Sequence, residues 1–226
     1  MFASMFGQKK DLKIHCSHHT TCSRRVIMAL LESGQDFEYV HVDMAKGEHK
    51  SPEFLKIQPF GKVPVLQDGP DFTLFESRAI MKYVLTGTPL CPGDAKEMAA
   101  VESAISVEYS YFTPAFMPVY VERMLKKKKG LEADETKVAA AIEALGPVLD
   151  VVEALLEGKT YMAGPKFSMA DISYMPYFHQ FDALGIAELR DDRPNLKAWW
   201  ATVSTMPNWE YATSGKVATE KVAKAA

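Results

Sequence analysis

The stretch Thr86-Gly87-Thr88-Pro89-Leu90-Cys91-Pro92-Gly93-Asp94 divides this chain into two regions of different periodicity. Prolines and glycines so closely spaced interrupt any helix or strand that reaches them. Before the break, short apolar runs alternate with a helical pattern, whereas after it apolar residues recur at helical spacing almost to the end. At 226 residues and 47% hydrophobic content, the chain can bury a core on each side. The fold therefore joins an α/β unit to an all-α unit. The boundaries read as an N-terminal extension at 1–10, an α/β domain at 11–86, a linker at 87–94 and a helical domain at 95–226.

Within the first region the pattern predicts a strand over Leu12 to Cys16, a helix over Ser23 to Ser33 and a strand over Phe37 to Val42. A short helix over Pro52 to Ile57 comes next. Strands over Val63 to Gln67 and Phe72 to Phe75 are joined by the turn Asp68-Gly69-Pro70-Asp71, and a helix over Ser77 to Leu85 closes the unit. Beyond the linker, helices are expected at roughly 95–127, 134–157, 169–182, 193–205 and 207–221, with Pro147 kinking the second. Ser168 and Asp171 have capping-box spacing and a structural role, with Asp in place of the usual Glu or Gln. Trp199, Trp200 and Trp209 read as core.

Two segments carry ligand chemistry: Phe60-Gly61-Lys62-Val63-Pro64 and Phe75-Glu76-Ser77-Arg78. Pro64 closes a tight turn, suits a cis bond and removes a donor, which leaves the N–H and C=O of Val63 to pair with a bound peptide. Glu76-Ser77 opens a helix, where free N–H groups and the positive dipole end suit a carboxylate. The Ser77 hydroxyl adds a donor and Glu76 suits an ammonium. The pair fits the amino-acid head of a γ-glutamyl peptide, so glutathione is the leading ligand. An ordinary N-cap is the plain alternative.

Gly47-Glu48-His49-Lys50-Ser51-Pro52-Glu53-Phe54, Pro59-Phe60-Gly61-Lys62-Val63-Pro64 and Leu74-Phe75-Glu76-Ser77-Arg78-Ala79-Ile80 resemble the phi class of cytosolic glutathione transferases. The likeness covers about residues 11 to 210. Ser168-Met169-Ala170-Asp171 and Trp199-Trp200 resemble the signature of the helical second domain. The resemblance implies a thioredoxin-like first domain, an all-helical second domain, glutathione as co-substrate, no metal, and a homodimer. It also implies that His49 and Lys50 contact the glycine carboxylate of glutathione, with Lys62 as a charged neighbour. The second substrate is then a small apolar electrophile or a hydroperoxide. Its expected wall is Tyr109, Phe112, Phe116, Met117 and Tyr120, although helical spacing of that kind is more often core.

Enzymes of this kind raise the thiolate fraction of glutathione, whose thiol titrates near about 8.5 when free. Phi enzymes use a serine just before the first helix. With Arg24-Arg25-Val26 aligned to the Arg-Val element of that helix, the serine's place falls on Thr20. Threonine keeps the hydroxyl donor and adds a methyl. Thr21, Cys22 and Ser23, and Ser17 before them, are the alternatives should the register differ. Cys22 also raises a rival activity, that of a cysteine-type thiol transferase, although the Cys-Pro motif of those enzymes is missing and Cys22 sits two places late. A non-catalytic glutathione or ligand carrier on the same fold is the rival from a different class, favoured by the missing serine.

The balance of charge, −3, gives no reason to expect nucleic-acid binding, and Lys126 to Lys129 reads as a solvated helix end. Three cysteines form no even framework and no C-x-x-C pair, which fits a reducing cytoplasmic setting. Apolar residues precede Lys9-Lys10, the reverse of a signal peptide, and charges interrupt the most apolar stretch, Val138 to Leu156, so no membrane span is expected. His15, His18, His19, His41 and His49 are irregularly spaced without supporting carboxylates, which argues against a metal.

Overall fold

The computed structural model describes residues 11–218; the expected extension at 1–10 and the expected helix beyond 218 lie outside the described residues. The chain forms two compact units, one taking the sequence up to Gly93 and again from Thr205 onward, the other Asp94–Ser204.

The first unit runs β1 (Leu12–Cys16), α1 (Thr21–Ser33), β2 (Phe37–His41), α2 (Pro52–Ile57), β3 (Val65–Asp68), β4 (Phe72–Phe75) and α3 (Ser77–Leu85). Its sheet has the order β2-β1-β3-β4. β1 and β2 pair in parallel, which requires the crossover that α1 supplies, and β3 is antiparallel to both β1 and β4. Leu12, Ile14 and Cys16 on β1 are buried, and α1 covers its own apolar face, Val26 to Leu30, by packing against α3. A smaller cluster joins Val42, Phe54 and Val65 with Ile57, Val63 and Phe75. α1 starts two residues before the predicted Ser23 because Thr20 is its N-cap, accepting the Ser23 N–H at 3.2 Å. β3 starts two residues after the predicted Val63, since Pro64 has no N–H to give a ladder.

The second unit opens with one continuous helical run: α4 (Ala95–Val107), a π turn at Glu108–Phe112, α5 (Thr113–Tyr120), a second π turn at Val121–Leu125 and α6 (Lys126–Lys128). α7 (Glu135–Leu155) accommodates Pro147, and α8 (Met169–Phe178), α9 (Glu188–Asp191) and α10 (Pro194–Val203) complete the unit. Every residue of α8 is buried. Its start is held by Asp171, which accepts from the Ser168 N–H at 2.9 Å, the Met162 N–H at 2.8 Å and the Trp199 indole N–H at 2.9 Å. The Ser168 hydroxyl caps the Ala170 N–H in return. Burial pushes the Asp171 carboxyl up to about 6 despite these donors.

The last described helix, α11 (Pro207–Ser214), belongs to the first unit, which corrects the assignment of everything from 95 onward to the helical domain. Trp209 is buried, and the Asn208 side chain donates to Glu32 on α1 at 2.9 Å. Helical periodicity gives the apolar face of α11 but not the element that covers it. The helix also ends earlier than predicted, at Gly215 with φ of 80°.

Asp171→Ala removes the acceptor of three buried N–H groups and should cost about 3–5 kcal/mol in urea unfolding. Asp171→Asn, which keeps one acceptor oxygen, should cost less. Because folding raises this carboxyl's pKa, its contribution is complete below about pH 4 and is lost as pH rises through about 6. The Asn variant should therefore flatten that part of the stability–pH curve.

Candidate active site

The strand register sets the site. His15 pairs with Val65, and Val65 pairs with Phe75. The segments that succeed Cys16, precede Val65 and succeed Phe75 consequently meet at one end of the sheet. These are the Ser17–Thr20 loop, the Val63-Pro64 turn and Glu76-Ser77.

In the first segment, the Thr20 N–H donates to the Ser17 carbonyl at 2.9 Å, and the Arg24 guanidinium donates to the His18 carbonyl at 3.0 Å. The Thr20 hydroxyl lies 2.7 Å from the Ser23 hydroxyl and 3.2 Å from the Ser17 carbonyl. Thr20, Thr21 and Cys22 are half-buried at the first turn of α1, whereas Ser23 is fully buried and Ser17 nearly so. Cys16 is buried, and desolvation pushes its thiol up to about 12, so it is neutral and a poor nucleophile. Burial, and then the neighbouring His19, Arg24 and His41, hold the His18 pKa below its ordinary value.

The second segment is fixed by a close approach. His49 and Lys50 form a short 3-10 turn, Glu48–Lys50, and the Lys50 ammonium donates to the Phe60 carbonyl at 2.9 Å. Gly61 has φ of 57°, and a Cβ there would fall 2.6 Å from the His49 carbonyl oxygen. Only glycine fits. The Val63-Pro64 peptide is cis, and no hydrogen bond among the described residues uses the N–H or C=O of Val63. Burial, with the charges of Lys50 and Lys62, keeps the His49 pKa low, so the imidazole is neutral beside two ammonium groups. Such a pair of cations suits a carboxylate.

The third segment holds Glu76 at φ 73° and ψ 109°, the one positive φ outside glycine among the described residues. Strain of this kind costs about 1–3 kcal/mol and gathers at ligand clamps. Next to it, the buried Ser77 hydroxyl accepts from the Arg25 guanidinium at 2.8 Å. A guanidinium only donates, so the Ser77 proton stays available to an acceptor other than Arg25. Arg25 is fully buried, and its sequence pattern gave it no role beyond aligning the helix. The available signal was a charged residue leading directly into the unbroken apolar run Val26-Ile27-Met28-Ala29-Leu30.

Comparison with known proteins fits this arrangement. The chain matches the glutathione S-transferase N-terminal domain over residues 15–86 and the glutathione S-transferase C-terminal domain over residues 109–207. It belongs to the glutathione S-transferase family. This transferase is 38% identical to glutathione S-transferase F10 of Arabidopsis thaliana over 194 residues, covering 83% of this chain and 90% of that protein. Glutathione transferase F7 from Populus trichocarpa superposes with a TM-score of 0.86 at 37% identity, covering 90% of this chain and 98% of the other. A maize glutathione S-transferase I in complex with an atrazine–glutathione conjugate gives 0.84 at 35% identity, over 90% and 97%. These relatives place the transferase in the phi class and its first domain among thioredoxin-like folds.

The series expected to receive a second substrate does not share one face. A π turn takes in an extra residue and rotates the succeeding side chains by about 100°. Phe112 and Phe116 are fully buried and stack on Phe178 and Phe181, with ring centroids 5.3 and 5.9 Å apart, so they are core side chains rather than a pocket wall. Tyr120 is buried, Met117 half-buried and Tyr109 62% exposed.

Gly61→Ala should destabilise the first unit by about 1–3 kcal/mol in thermal unfolding, because the new methyl meets backbone rather than a side chain that can move. The same substitution at Gly69, where nothing lies within 4 Å, should cost less, and equal losses would contradict the close-approach argument.

Proposed function

We propose that this chain works as a glutathione transferase in which Thr20 holds the glutathione thiolate and the clamp of His49, Lys50, Lys62, Val63, Glu76 and Ser77 holds the peptide. The observation that carries the reading is the Ser77 hydroxyl, held as an acceptor by Arg25 and therefore oriented to donate, at the sheet end shared with Thr20. Val63 offers its free N–H and C=O to the peptide backbone, Glu76 takes the ammonium and Ser77 the γ-glutamyl carboxylate. The basic group around His49 takes the glycine carboxylate.

Lowering a thiol's pKa by one unit requires about 1.4 kcal/mol of preferential anion stabilisation. A hydroxyl donor beside the N–H groups of the first turn of α1 supplies interaction of that size. The thiolate then attacks an electrophilic carbon, a C–S bond forms, and the leaving group departs with its bonding electrons. With a hydroperoxide the thiolate attacks oxygen, releasing the alcohol, and a second glutathione completes the disulfide and releases water. The maize relative is in complex with an atrazine–glutathione conjugate, a molecule of the kind that the carbon reaction yields.

A second reading is favoured by Cys22, a free cysteine half-buried at the first turn of α1. It makes the chain a thiol transferase that forms a mixed disulfide with glutathione. Three free cysteines support a reducing, cytoplasmic setting for either reading. None of the described helices is long and apolar enough to cross a membrane.

Thr20→Ala should lower kcat/KM for conjugation of an aromatic halide about 10- to 100-fold, matching the loss of a charge-assisted hydrogen bond. Cys22→Ser should leave it within about threefold. If the cysteine change instead abolishes disulfide reduction and the threonine change is silent, Cys22 is the nucleophile. Tight glutathione binding without turnover of halide or peroxide would indicate a carrier. We also infer a homodimer, supported by the exposed aromatic side chains of Phe60, Tyr109 and Tyr111. Sedimentation at micromolar concentration should give twice the chain mass, and a monomer would overturn this.

A further inference from the structure

The mechanism leaves unused a buried row of groups behind Thr20. The Ser23 hydroxyl, fully buried, lies 2.7 Å from the Thr20 hydroxyl and accepts the Ser17 N–H at 3.3 Å. The Cys16 thiol, also buried, lies beside the Ser23 and Tyr39 hydroxyls. Tyr39 itself accepts the His18 N–H at 3.2 Å and donates to the Cys16 carbonyl at 3.3 Å.

We propose that Ser23 is a positioning residue that donates its proton to the Thr20 oxygen and so directs the Thr20 proton at the glutathione sulfur. The inference rests on Thr20 as the thiolate partner. Two arrangements of the hydroxyl protons are available. In one, the Ser17 N–H donates to Ser23, and Ser23 donates to Thr20. The Thr20 oxygen then accepts the Ser23 O–H and the Ser23 N–H, its lone pairs are used, and its own proton is free to point outward. At rest that proton reaches the Ser17 carbonyl at 3.2 Å, a long contact that a thiolate readily replaces.

In the reverse arrangement Thr20 donates inward to Ser23, and the Ser23 proton is left with the Cys16 sulfur, a weak acceptor. The first arrangement exchanges that weak O–H···S contact for an O–H···O bond. A donor that accepts two hydrogen bonds is also polarised into a stronger donor. Ser23 therefore acts on the thiolate without touching it. The methyl of Thr20 is of no consequence to this polarity, which suits a threonine at this position.

The test measures the pKa of the enzyme-bound glutathione thiol from the ultraviolet absorbance of its thiolate, together with kcat/KM as a function of pH. Ser23→Ala should raise the bound thiol's pKa by about half to one unit and lower kcat/KM about three- to tenfold below that pKa, with KM for glutathione within about twofold. Ser23→Thr, which retains the hydroxyl, should restore both. Ser23→Cys preserves shape with a weak donor and should show most of the shift, so the proposal remains testable if the alanine variant folds poorly. In a Thr20→Ala background, Ser23→Ala should add nothing to the thiol pKa. A Ser23→Ala or Ser23→Cys enzyme with an unchanged thiol pKa overturns the role of Ser23, as does a full shift persisting in the Thr20→Ala background. If Thr20→Ala alone leaves the thiol pKa unmoved, the assignment of Thr20 fails first. His18 and Arg24 are the same in every variant, so their fields cancel in the comparison.

Discussion

The antiparallel pairing of β3 with both β1 and β4 is the constraint on which the site depends. An antiparallel neighbour places the end of one strand beside the start of the next. Cys16 at the end of β1, Val65 at the start of β3 and Phe75 at the end of β4 are thereby brought to one sheet edge. Three segments that are far apart in sequence become adjacent there as loop or helix start, and in one of them the N–H and C=O of Val63 make no hydrogen bond among the described residues. The parallel β1–β2 pair contributes differently. It requires the crossover α1, whose first turn then opens at the same edge.

At that edge, stability and chemistry compete for the same atoms. Thr20 caps α1, a role worth about 1 kcal/mol, and its oxygen is therefore engaged with the Ser23 N–H. Capping uses a lone pair, whereas thiolate stabilisation uses the proton, so one hydroxyl serves both. In the proposed site Ser77 is arranged in the same way: its oxygen accepts from Arg25 and its proton is available to a ligand. For Ser77 the buried Arg25 takes an oxygen lone pair, and the proposed donation from Ser23 would do the same for Thr20. A freely rotating hydroxyl would have to be ordered when the ligand binds, at a cost in entropy. The buried guanidinium is costly to desolvate, and it is tolerated where a ligand carboxylate is to be placed.

Much of this was legible in the sequence where the signal was local. The limits of α2, β4 and α3 come from Pro52, from the turn at Asp68 to Asp71 and from Glu76-Ser77, each decided within a few residues. The proposed clamp rests on signals of the same local kind, because Val63-Pro64 and Glu76-Ser77 are short contiguous motifs. Arg25 was not, since its importance lies in a residue 52 positions away. The π turns at Glu108–Phe112 and Val121–Leu125 were likewise invisible, because a helical pattern read at constant period cannot show where one residue is taken in. Tyr109, Phe112 and Phe116 share a face at constant period and do not share one in the folded chain. α11 was assigned to the wrong unit because an amphipathic pattern specifies a buried face and leaves the covering element open.

The strained backbone at Glu76 shows why the clamp cannot be judged by local propensity alone. Glycine would adopt φ 73° without steric cost, and the chain uses glutamate instead, at about 1–3 kcal/mol. Glutamate brings a carboxylate to the mouth of the site without a side-chain capping bond to draw it back toward α3. The positive φ also turns the chain sharply, so that β4 ends and α3 begins within a single residue and Ser77 falls at the first position of the helix. A relaxed residue at 76 would need a longer connection. That would move the Ser77 hydroxyl away from Arg25 and separate the ammonium partner from the carboxylate partner. In the proposed clamp the strain is the structural cost of placing Glu76 and Ser77 as opposite recognition groups on adjacent residues, and the burial of Ile80, Met81, Val84 and Leu85 in α3 offsets it.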